Sequence, residues 1–187
     1  IKKICKRRKI AIIEDGCHSF GSSKNSTAVG SCKYSIMTTF SFHPVKNITT
    51  LEGGAITTNS RKIYQRLKAI RSHALLSTTI SDPYRLIYPS LNFRMSEINA
   101  FIGVEQIKLI RDFKRKRNLL VNYYINKLSF LKDHFEILNI KDKKIFWHLF
   151  VIKLKKISLK KKLMLFLRKN KIGCQVHYKP ICFHKTY

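Results

Sequence analysis

The stretch that decides the fold is Thr39–Ala55, TFSFHPVKNITTLEGGA, in which an apolar segment leads to one lysine, Lys46, among small and polar residues. A second stretch lies upstream at Ile10–His18, IAIIEDGCH, where an apolar run ends in carboxylates. Open α/β sheets place ligand-binding groups at the carboxyl ends of their strands. The two stretches therefore predict an α/β sheet with a ligand site that includes Asp15 and Lys46.

This combination is what a pyridoxal 5'-phosphate (PLP) enzyme requires. A lysine amine forms a Schiff base with the cofactor aldehyde, and a carboxylate keeps the pyridine nitrogen protonated so that the ring can accept electrons. Lys46 is the candidate catalytic residue, and Asp15 is the candidate partner of the ring nitrogen. The alternatives are one more surface lysine and a solvated or helix-capping carboxylate. No GxGxxG or P-loop pattern indicates a dinucleotide or nucleoside triphosphate site.

Apolar periodicity and turn residues predict alternating strands and helices, which is typical of the α/β class. Strands are predicted at Ile10–Ile13, Ser35–Phe42, Gly53–Thr58, Phe146–Leu154 and Gln175–Tyr178. Helices are predicted at Ser60–Ser72, from Ser96 onward through Lys114–Arg117, and at Leu159–Lys169. Ser60 and Ser96 are expected to cap their helices. The segment Leu75–Leu91 is predicted to be an extended loop.

Six blocks of the sequence resemble the DegT/DnrJ/EryC1/StrS family of sugar-nucleotide aminotransferases, in the family's order and at about its spacings. The blocks are Glu14–Gly21 (EDGCHSFG), Phe40–Thr50 (FSFHPVKNITT), Glu52–Gly54 (EGG), Arg71–His73 (RSH), Asn92–Ser96 (NFRMS) and His177–Pro180 (HYKP). Together they extend over nearly the whole chain. Within the family, the chain is most similar to the enzymes that aminate a UDP-linked 4-keto-6-deoxy amino sugar on the way to pseudaminic acid.

The resemblance implies the type I PLP-dependent aminotransferase fold, with a mixed, mainly parallel sheet in a large domain and a small α/β domain. Residues 1–127 are then expected to be the C-terminal half of the PLP-binding large domain, and residues 128–187 the first part of the small domain. Relatives extend beyond both ends of the matched region, so the chain is expected to be a central fragment, incomplete at both ends. It also departs at Cys17 and Ala74, where relatives usually have Ala and Gly.

The resemblance implies further cofactor-binding residues. His18 would pack near the cofactor ring or reach its phenolic oxygen, and Ser41 would hydrogen-bond the cofactor phosphate. Asn92 would reach the phosphate of the cofactor held by a neighbouring subunit, which implies a homodimer with a shared active site. The alternatives are a structural histidine, an ordinary strand serine and a turn asparagine before a capped helix. No metal site is expected.

The function that the resemblance implies is PLP-dependent transfer of an amino group, with glutamate as the expected donor, to a keto-deoxy sugar nucleotide. The product would enter surface-glycan or flagellar-sugar biosynthesis. Some members of the family carry a histidine at the lysine position and act as dehydratases, and Lys46 argues against that branch. The alternative is a truncated, non-catalytic remnant.

The charge of the chain suggests a hypothesis from another class. Its 187 residues contain 38 Lys plus Arg against 10 Asp plus Glu, a formal net charge of +28. Proteins with this balance often bind nucleic acids or anionic membranes, but here the basic residues are dispersed and no nucleic-acid motif contains them. Codon bias is the simpler interpretation, and no specific nucleic-acid partner is expected. Binding that weakens steeply with salt and prefers a sequence would favour a basic anion- or nucleic-acid-binding protein.

The cysteines indicate a reducing, cytoplasmic location. They are odd in number and include no CxxC pair, so neither a disulfide framework nor a structural zinc site is expected. The five positions are Cys5, Cys17, Cys32, Cys174 and Cys182. No apolar run reaches membrane-spanning length and no signal peptide opens the chain, so no membrane partner is expected.

Overall fold

The computed structural model describes residues 1–75, 80–81, 85–138 and 144–186. The chain divides into two compact units, the first of Ile1–Tyr123 with Ile140–Leu149 and the second of Tyr124–Asn139 with Phe150–Tyr187. All the predicted site residues belong to the first unit. The predicted boundary after residue 127 refers to the domains of a longer protein, and it stays a prediction.

Helices and short strands are both present among the described residues, which confirms the α/β class. The strands are β1 (Ile13–Asp15), β2 (Ser23–Lys24), β3 (Thr27–Ala28), β4 (Met37–Ser41), β5 (Gly54–Thr57), β6 (Phe135–Ile137) and β7 (Ile152–Leu154). The helices are α1 (Lys2–Arg7), α2 (Arg61–Arg71), α3 (Glu97–Lys108), α4 (Ile110–Lys127) and α5 (Leu159–Lys169). The α1 helix and the hairpin of β2 and β3 were not predicted from the sequence.

A three-stranded mixed sheet in the order β1-β4-β5 belongs to the first unit. Strands β1 and β4 are parallel, with Asp15 paired to Thr39, and β4 and β5 are antiparallel, with Ser41 paired to Gly54. The sequence predicts all three strands, although β1 begins later than expected. The Ile12 carbonyl still accepts the Ile36 N–H at 2.9 Å, so pairing continues one residue before β1.

The hydrophobic core of the first unit lies beside the segment that carries Lys46. Phe40 on β4 is buried together with Phe42 and Ile48, which flank the lysine on both sides in sequence. The ring of Phe20 meets those of Phe40 and Phe42 edge-on, with centroids 5.3 and 5.5 Å apart. Edge-on aromatic pairs stabilise a core beyond the area they bury, so the base of the lysine segment is firmly packed.

Serine caps begin the two helices where the sequence predicts them. The Ser60 hydroxyl accepts the Ile63 N–H at 3.4 Å, and the Ser96 hydroxyl accepts the Asn99 N–H at 3.2 Å. The prediction that one helix continues from Ser96 through residues 114–117 is wrong, because α3 ends before Leu109 and α4 begins after it. Apolar residues continue through the break, so their periodicity does not reveal it.

The predicted strand Phe146–Leu154 is wrong over most of its length, since only β7 is a strand. Residues 144–148, called the return segment below, belong instead to the first unit and pack against its other residues. Phe146 is 0% exposed, and its N–H donates to the Ser22 hydroxyl at 2.9 Å. Tertiary contacts therefore override the alternating pattern. The predicted strand Gln175–Tyr178 is also wrong, because no described strand pairs with it.

Ala74 has a φ of +56°, a left-handed conformation that glycine adopts at lower cost. This accounts for the glycine that relatives usually have at the position. The predicted loop Leu75–Leu91 falls partly outside the described residues, at 76–79 and 82–84, and elsewhere shows an isolated bridge between Leu75 and Leu86.

The second unit contains an antiparallel pair of β6 and β7, with Phe135 opposite Leu154. Helix α5 has the predicted bounds, Leu159–Lys169. Among the helices of the described ranges, none is long and apolar enough to span a membrane.

Candidate active site

The candidate site lies at the sheet edge where β1 and β4 end. Parallel strands have their carboxyl ends at the same edge, and the register places Asp15 beside Thr39. The Gly16 N–H donates to the Thr39 carbonyl at 2.8 Å, which continues the pairing past β1. Side chains two residues apart on a strand share a face, so Asp15, Thr39 and Ser41 lie on one face of the sheet.

Asp15 is held in its ionised form. Its Oδ1 accepts the backbone N–H of Cys17 at 3.0 Å. The hydrogen bond from the Cys17 side chain is the largest cause that lowers the pKa of Asp15, followed by this backbone bond, and the charges of His18 and Lys46 lower it further. His18 and Lys46 therefore each lie within electrostatic reach of Asp15.

Cys17 acts as a hydrogen-bond donor to the aspartate. Burial is the main cause that raises the pKa of the Cys17 thiol, and the hydrogen bond and charge of Asp15 raise it further. A thiol with a raised pKa is protonated at neutral pH and can donate. The sequence marks Cys17 only as a departure from relatives, although an aspartate two residues earlier is the spacing at which an Asp side chain accepts a backbone N–H.

Lys46 lies in a compact loop that is closed at its base. The Phe42 N–H donates to the Gly53 carbonyl, and the Thr50 N–H donates to the Phe42 carbonyl, both at 2.9 Å. Within the loop, the Lys46 N–H donates to the His43 carbonyl at 2.9 Å. Lys46 itself is half-buried. The backbone of the lysine is therefore fixed while its side chain keeps access to the site.

Ser41 is half-buried at the start of this loop, where its hydroxyl accepts the His43 N–H at 3.5 Å. The imidazole of His43 accepts the Val45 N–H on Nδ1 at 3.4 Å, and its Nε2 lies 4.0 Å from Glu52 Oε1. These contacts order the loop. The phosphate role of Ser41 stays a prediction.

Asn47, next to the lysine, is a residue that the sequence analysis misses. It is 6% exposed, and its Nδ2 donates to the Phe20 carbonyl at 3.3 Å and to the Phe146 carbonyl at 2.9 Å. Phe146 is 99 positions away, so spacing offers no signal for this contact. The only signal in the sequence is that a polar residue lies between Lys46 and the apolar Ile48.

His18 is exposed and stacks on a second histidine. Its ring centroid lies 4.3 Å from that of His148 in the return segment, with the rings tilted by 59°. The Arg117 guanidinium of α4 donates to the carbonyls of Trp147 and His148 at 3.0 and 3.3 Å. His148 is thus a neighbour of the predicted site that the sequence analysis does not identify.

Asn92 lies in the turn before α3. Its Oδ1 accepts the Arg94 N–H at 3.1 Å, and its backbone forms a bridge with Ser72. This is the local contact expected of a turn asparagine. Its role toward the cofactor of a neighbouring subunit stays a prediction.

A profile of the DegT/DnrJ/EryC1/StrS aminotransferase family matches residues 1–187. The chain belongs to this family. The matched region is the whole chain, so the family assignment confirms the resemblance read from the six sequence blocks.

Two relatives within the DegT/DnrJ/EryC1/StrS family share the name UDP-4-amino-4,6-dideoxy-N-acetyl-beta-L-altrosamine transaminase. The one from Campylobacter jejuni is 35% identical over 184 residues, which is 96% of this chain and 48% of the relative. The one from Helicobacter pylori is 33% identical over an alignment of 193 positions that covers 100% of this chain and 50% of the relative. The chain therefore spans about half the length of the curated relatives it matches.

Solved structures of the family agree with the fold. The chain is similar to Helicobacter pylori PseC, described as an aminotransferase involved in the biosynthesis of pseudoaminic acid, with a TM-score of 0.86, 32% identity and coverage of 100% of this chain and 50% of that one. It is also similar to the E coli GDP-4-keto-6-deoxy-D-mannose-3-dehydratase with bound hydrated PLP, with a TM-score of 0.79, 28% identity and coverage of 93% and 48%. The type I aminotransferase fold is thereby confirmed.

Aminotransferases of this family are PLP-dependent, and the donor set of the first unit fits that cofactor. Asp15 is ionised, as a partner of a protonated ring nitrogen must be, and Lys46 lies within its electrostatic reach. A nucleophilic amine and a carboxylate held at one sheet edge are the two groups that PLP chemistry needs from the protein.

Proposed function

We propose that the whole protein is a PLP-dependent sugar-nucleotide aminotransferase. This chain spans about half the length of its relatives. The observation that carries the proposal is the placement of Asp15 at the carboxyl end of β1, paired with Thr39 of β4, with Lys46 in electrostatic reach of it. The matches to two transaminases of one name support it. PLP, when bound, supplies an electron sink that stabilises negative charge on the reacting carbon.

In this proposal Lys46 is the catalytic residue. Its amine would attack the cofactor aldehyde. The same amine would later accept a proton from one reacting carbon atom and donate it to another. The closed loop around the lysine supports the assignment, because its backbone is tied to His43 and its base to Phe42 and Gly53. A fixed backbone limits the positions that the amine can take, which favours one reaction geometry.

Asp15, His18, Ser41 and Asn92 hold the cofactor in this proposal, together with Lys46. Asp15 stabilises the positive charge of the ring nitrogen, with Cys17 keeping the carboxylate ionised. His18 packs near the ring or reaches the phenolic oxygen. Ser41 donates its hydroxyl to the phosphate from the same sheet face as Asp15. Asn92 acts on the cofactor of a neighbouring subunit.

The proposed substrates are a keto-deoxy sugar nucleotide and glutamate. Overall, the amino group of glutamate replaces the carbonyl oxygen of the sugar, which leaves as water, and glutamate becomes the 2-oxo acid, whose new carbonyl oxygen comes from water. The names of the Campylobacter and Helicobacter relatives support a UDP-linked substrate in pseudaminic acid biosynthesis. The product would serve surface-glycan or flagellar-sugar synthesis. Five cysteines that are all free support a cytoplasmic location.

We also propose that the whole protein is a homodimer with a shared active site. The support is an apolar face of α3 that is exposed in this chain and that follows Asn92 in sequence. Its exposed residues are Ile98 (72%), Phe101 (66%), Val104 (53%) and Ile107 (51%). Residues 1–127 would belong to the large domain and residues 128–187 to the small domain.

Cofactor trapping tests the proposal. The purified chain is mixed with PLP, reduced with borohydride and mapped by peptide mass. We expect an adduct concentrated on Lys46, which Lys46→Arg removes while the matched control Lys33→Arg leaves it in place. An adduct spread over many lysines in the unsubstituted chain, or a total amount of trapped PLP that Lys46→Arg does not lower, would overturn the assignment.

A further inference from the structure

Asn47 connects three segments that meet around the candidate site. It follows Lys46 directly, and its side-chain amide donates to one carbonyl at Phe20, two residues after His18, and to a second at Phe146 in the return segment. Both N–H bonds of the amide are therefore used. The residue is 6% exposed, so water does not compete strongly for these bonds.

The return segment is a rigid partner for this amide. The Ser23 N–H donates to the Lys144 carbonyl at 3.1 Å, and the Lys114 ammonium of α4 donates to the Gly21 and Lys144 carbonyls at 2.9 and 3.2 Å. The Phe146 ring occupies the space beside Gly21, where a Cβ would lie 2.8 Å from the ring. The acceptor for Asn47 is thus fixed by several independent contacts.

The orientation of the Asn47 amide follows from its neighbours. Two carbonyl oxygens face one end of the amide, and only the NH₂ group can donate to them. Within the described residues the other end, Oδ1, is buried without a hydrogen-bond partner. An unpaired buried acceptor costs free energy, so the two donated bonds are what keep the side chain in this position.

We infer that Asn47 is a positioning residue for Lys46: its two hydrogen bonds, to Phe20 and to the return segment, fix the lysine loop so that the Lys46 amine faces Asp15. The inference rests on the proposed function of Lys46 as the cofactor lysine. It adds a residue that acts through the backbone and does not touch the cofactor. The same return segment carries His148 against His18, so one structural element supports both sides of the site.

The test compares Asn47→Leu, which keeps the number and branching of the side-chain heavy atoms and removes both donors without adding charge, with the control Asn59→Leu. Asn59 also donates its Nδ2 to a distant carbonyl, that of Ser31 at 2.8 Å, but in an exposed position away from the lysine loop. We expect Asn47→Leu to lower the Lys46 share of the trapped PLP about tenfold, because losing buried hydrogen bonds shifts a local equilibrium by an order of magnitude or more. Asn59→Leu should leave this share unchanged.

Two further readouts separate positioning from general destabilisation. The visible band of bound PLP has a pH midpoint, and this midpoint should differ by about one pH unit between Asn47→Leu and the unsubstituted chain. A tenfold change in an equilibrium constant corresponds to about one pH unit. Partial unfolding alone would reduce the band without moving its midpoint. Hydrogen exchange without cofactor should accelerate at the amides of Lys46 and Thr50, which are bonded within the loop.

The outcomes distinguish this inference from the proposed function. If the unsubstituted chain traps PLP on Lys46 and Asn47→Leu retains the share and the midpoint, the inference is wrong and the function stands. If the unsubstituted chain traps no PLP, the function fails and hydrogen exchange decides whether Asn47 fixes the loop. Should Asn47→Leu not fold, Asn47→Asp is the second variant, and unchanged exchange at Lys46 in it would overturn the inference.

Discussion

Glu14 and Asp15 are neighbouring carboxylates with different tasks. Glu14 Oε2 accepts the hydroxyls of Ser35 at 2.5 Å and Thr38 at 3.1 Å, on the face of the sheet that is buried. Asp15 points to the opposite face, because successive side chains of a strand alternate. A one-residue shift in the register of β1 would exchange the two carboxylates, so the pairing of Asp15 with Thr39 is a requirement of the site.

Replacing Asp15 by Asn should weaken PLP binding by one to two orders of magnitude, on the order of 10- to 100-fold, because the ring nitrogen loses its charged partner. Titration of the visible absorbance of PLP measures this affinity. The control is Asp133→Asn, which removes an exposed carboxylate in the second unit and should leave the affinity unchanged. Equal affinity of Asp15→Asn and the unsubstituted chain would contradict the assigned role.

The lowered pKa of Asp15 also predicts an effect on stability. A carboxylate whose folded pKa lies below its unfolded value, about 3.9, stabilises the folded state above that pH, and the contribution is lost as pH falls through the folded pKa. The effect is small because Asp15 is exposed to solvent. Urea unfolding of the unsubstituted chain should therefore lose slightly more stability between pH 7 and 3 than that of Asp15→Asn.

Hydroxyl caps and apolar periodicity predict the helices reliably, whereas the alternation of apolar residues predicts the strands less reliably. Ser60, Ser96 and the bounds of α5 follow from local sequence, since a cap or an amphipathic face needs only residues within a few turns. The break at Leu109 does not, because Ile110 packs against the core cluster of distant residues and sets the start of α4. Phe146 shows the same dominance of tertiary contacts.

Ser60→Ala and Ser96→Ala should each destabilise the chain by about 1 kcal/mol, because each removes the acceptor for an N–H in the first turn of its helix. Chemical unfolding followed by circular dichroism measures the change. Ser158→Ala is the matched control, since the Ser158 side chain makes no capping bond to α5. A loss for Ser158→Ala as large as for the other two would argue against capping as the cause.

At the scale of the whole chain, the main feature is the apolar face of α3, which is exposed to solvent in a single copy. Ile98, Phe101, Val104 and Ile107 recur every third residue, so they form an apolar stripe that winds around half of the helix, and each is more than half exposed. An apolar stripe of this kind normally packs against another element. A second copy is the occupant we propose, because Asn92, the residue assigned to a neighbouring cofactor, lies in the turn that precedes the same helix.

Phe101→Glu should therefore shift the chain from dimer to monomer in sedimentation experiments, since a carboxylate at a buried contact costs several kcal/mol and weakens association about a hundredfold or more. Tyr64→Glu is the control, because Tyr64 is a similarly exposed aromatic residue (57%) on α2. A dimer that persists in Phe101→Glu, or that is lost equally in Tyr64→Glu, would exclude this face.

The sequence predicts the family, the fold class and the central strands, and it singles out the lysine and the aspartate because each ends an apolar run. It cannot predict the contacts of Asn47 or His148 around the site, since these depend on where distant segments pack, whereas the contact of Cys17 with Asp15 is local. The net charge of +28 follows from composition. The assigned roles of His18, Ser41 and Asn92 stay predictions.

The hydrogen bond from Asn47 to Phe146 can form only after a delay during protein synthesis. The two residues are 99 positions apart, and ribosomes add about 5–20 residues per second, so the acceptor is made about 5–20 s after the donor. Until then the lysine loop lacks one of its two long-range hydrogen bonds, and the Asn47 amide remains exposed to water. The nascent protein therefore completes the surroundings of its lysine only when translation has passed well beyond α4.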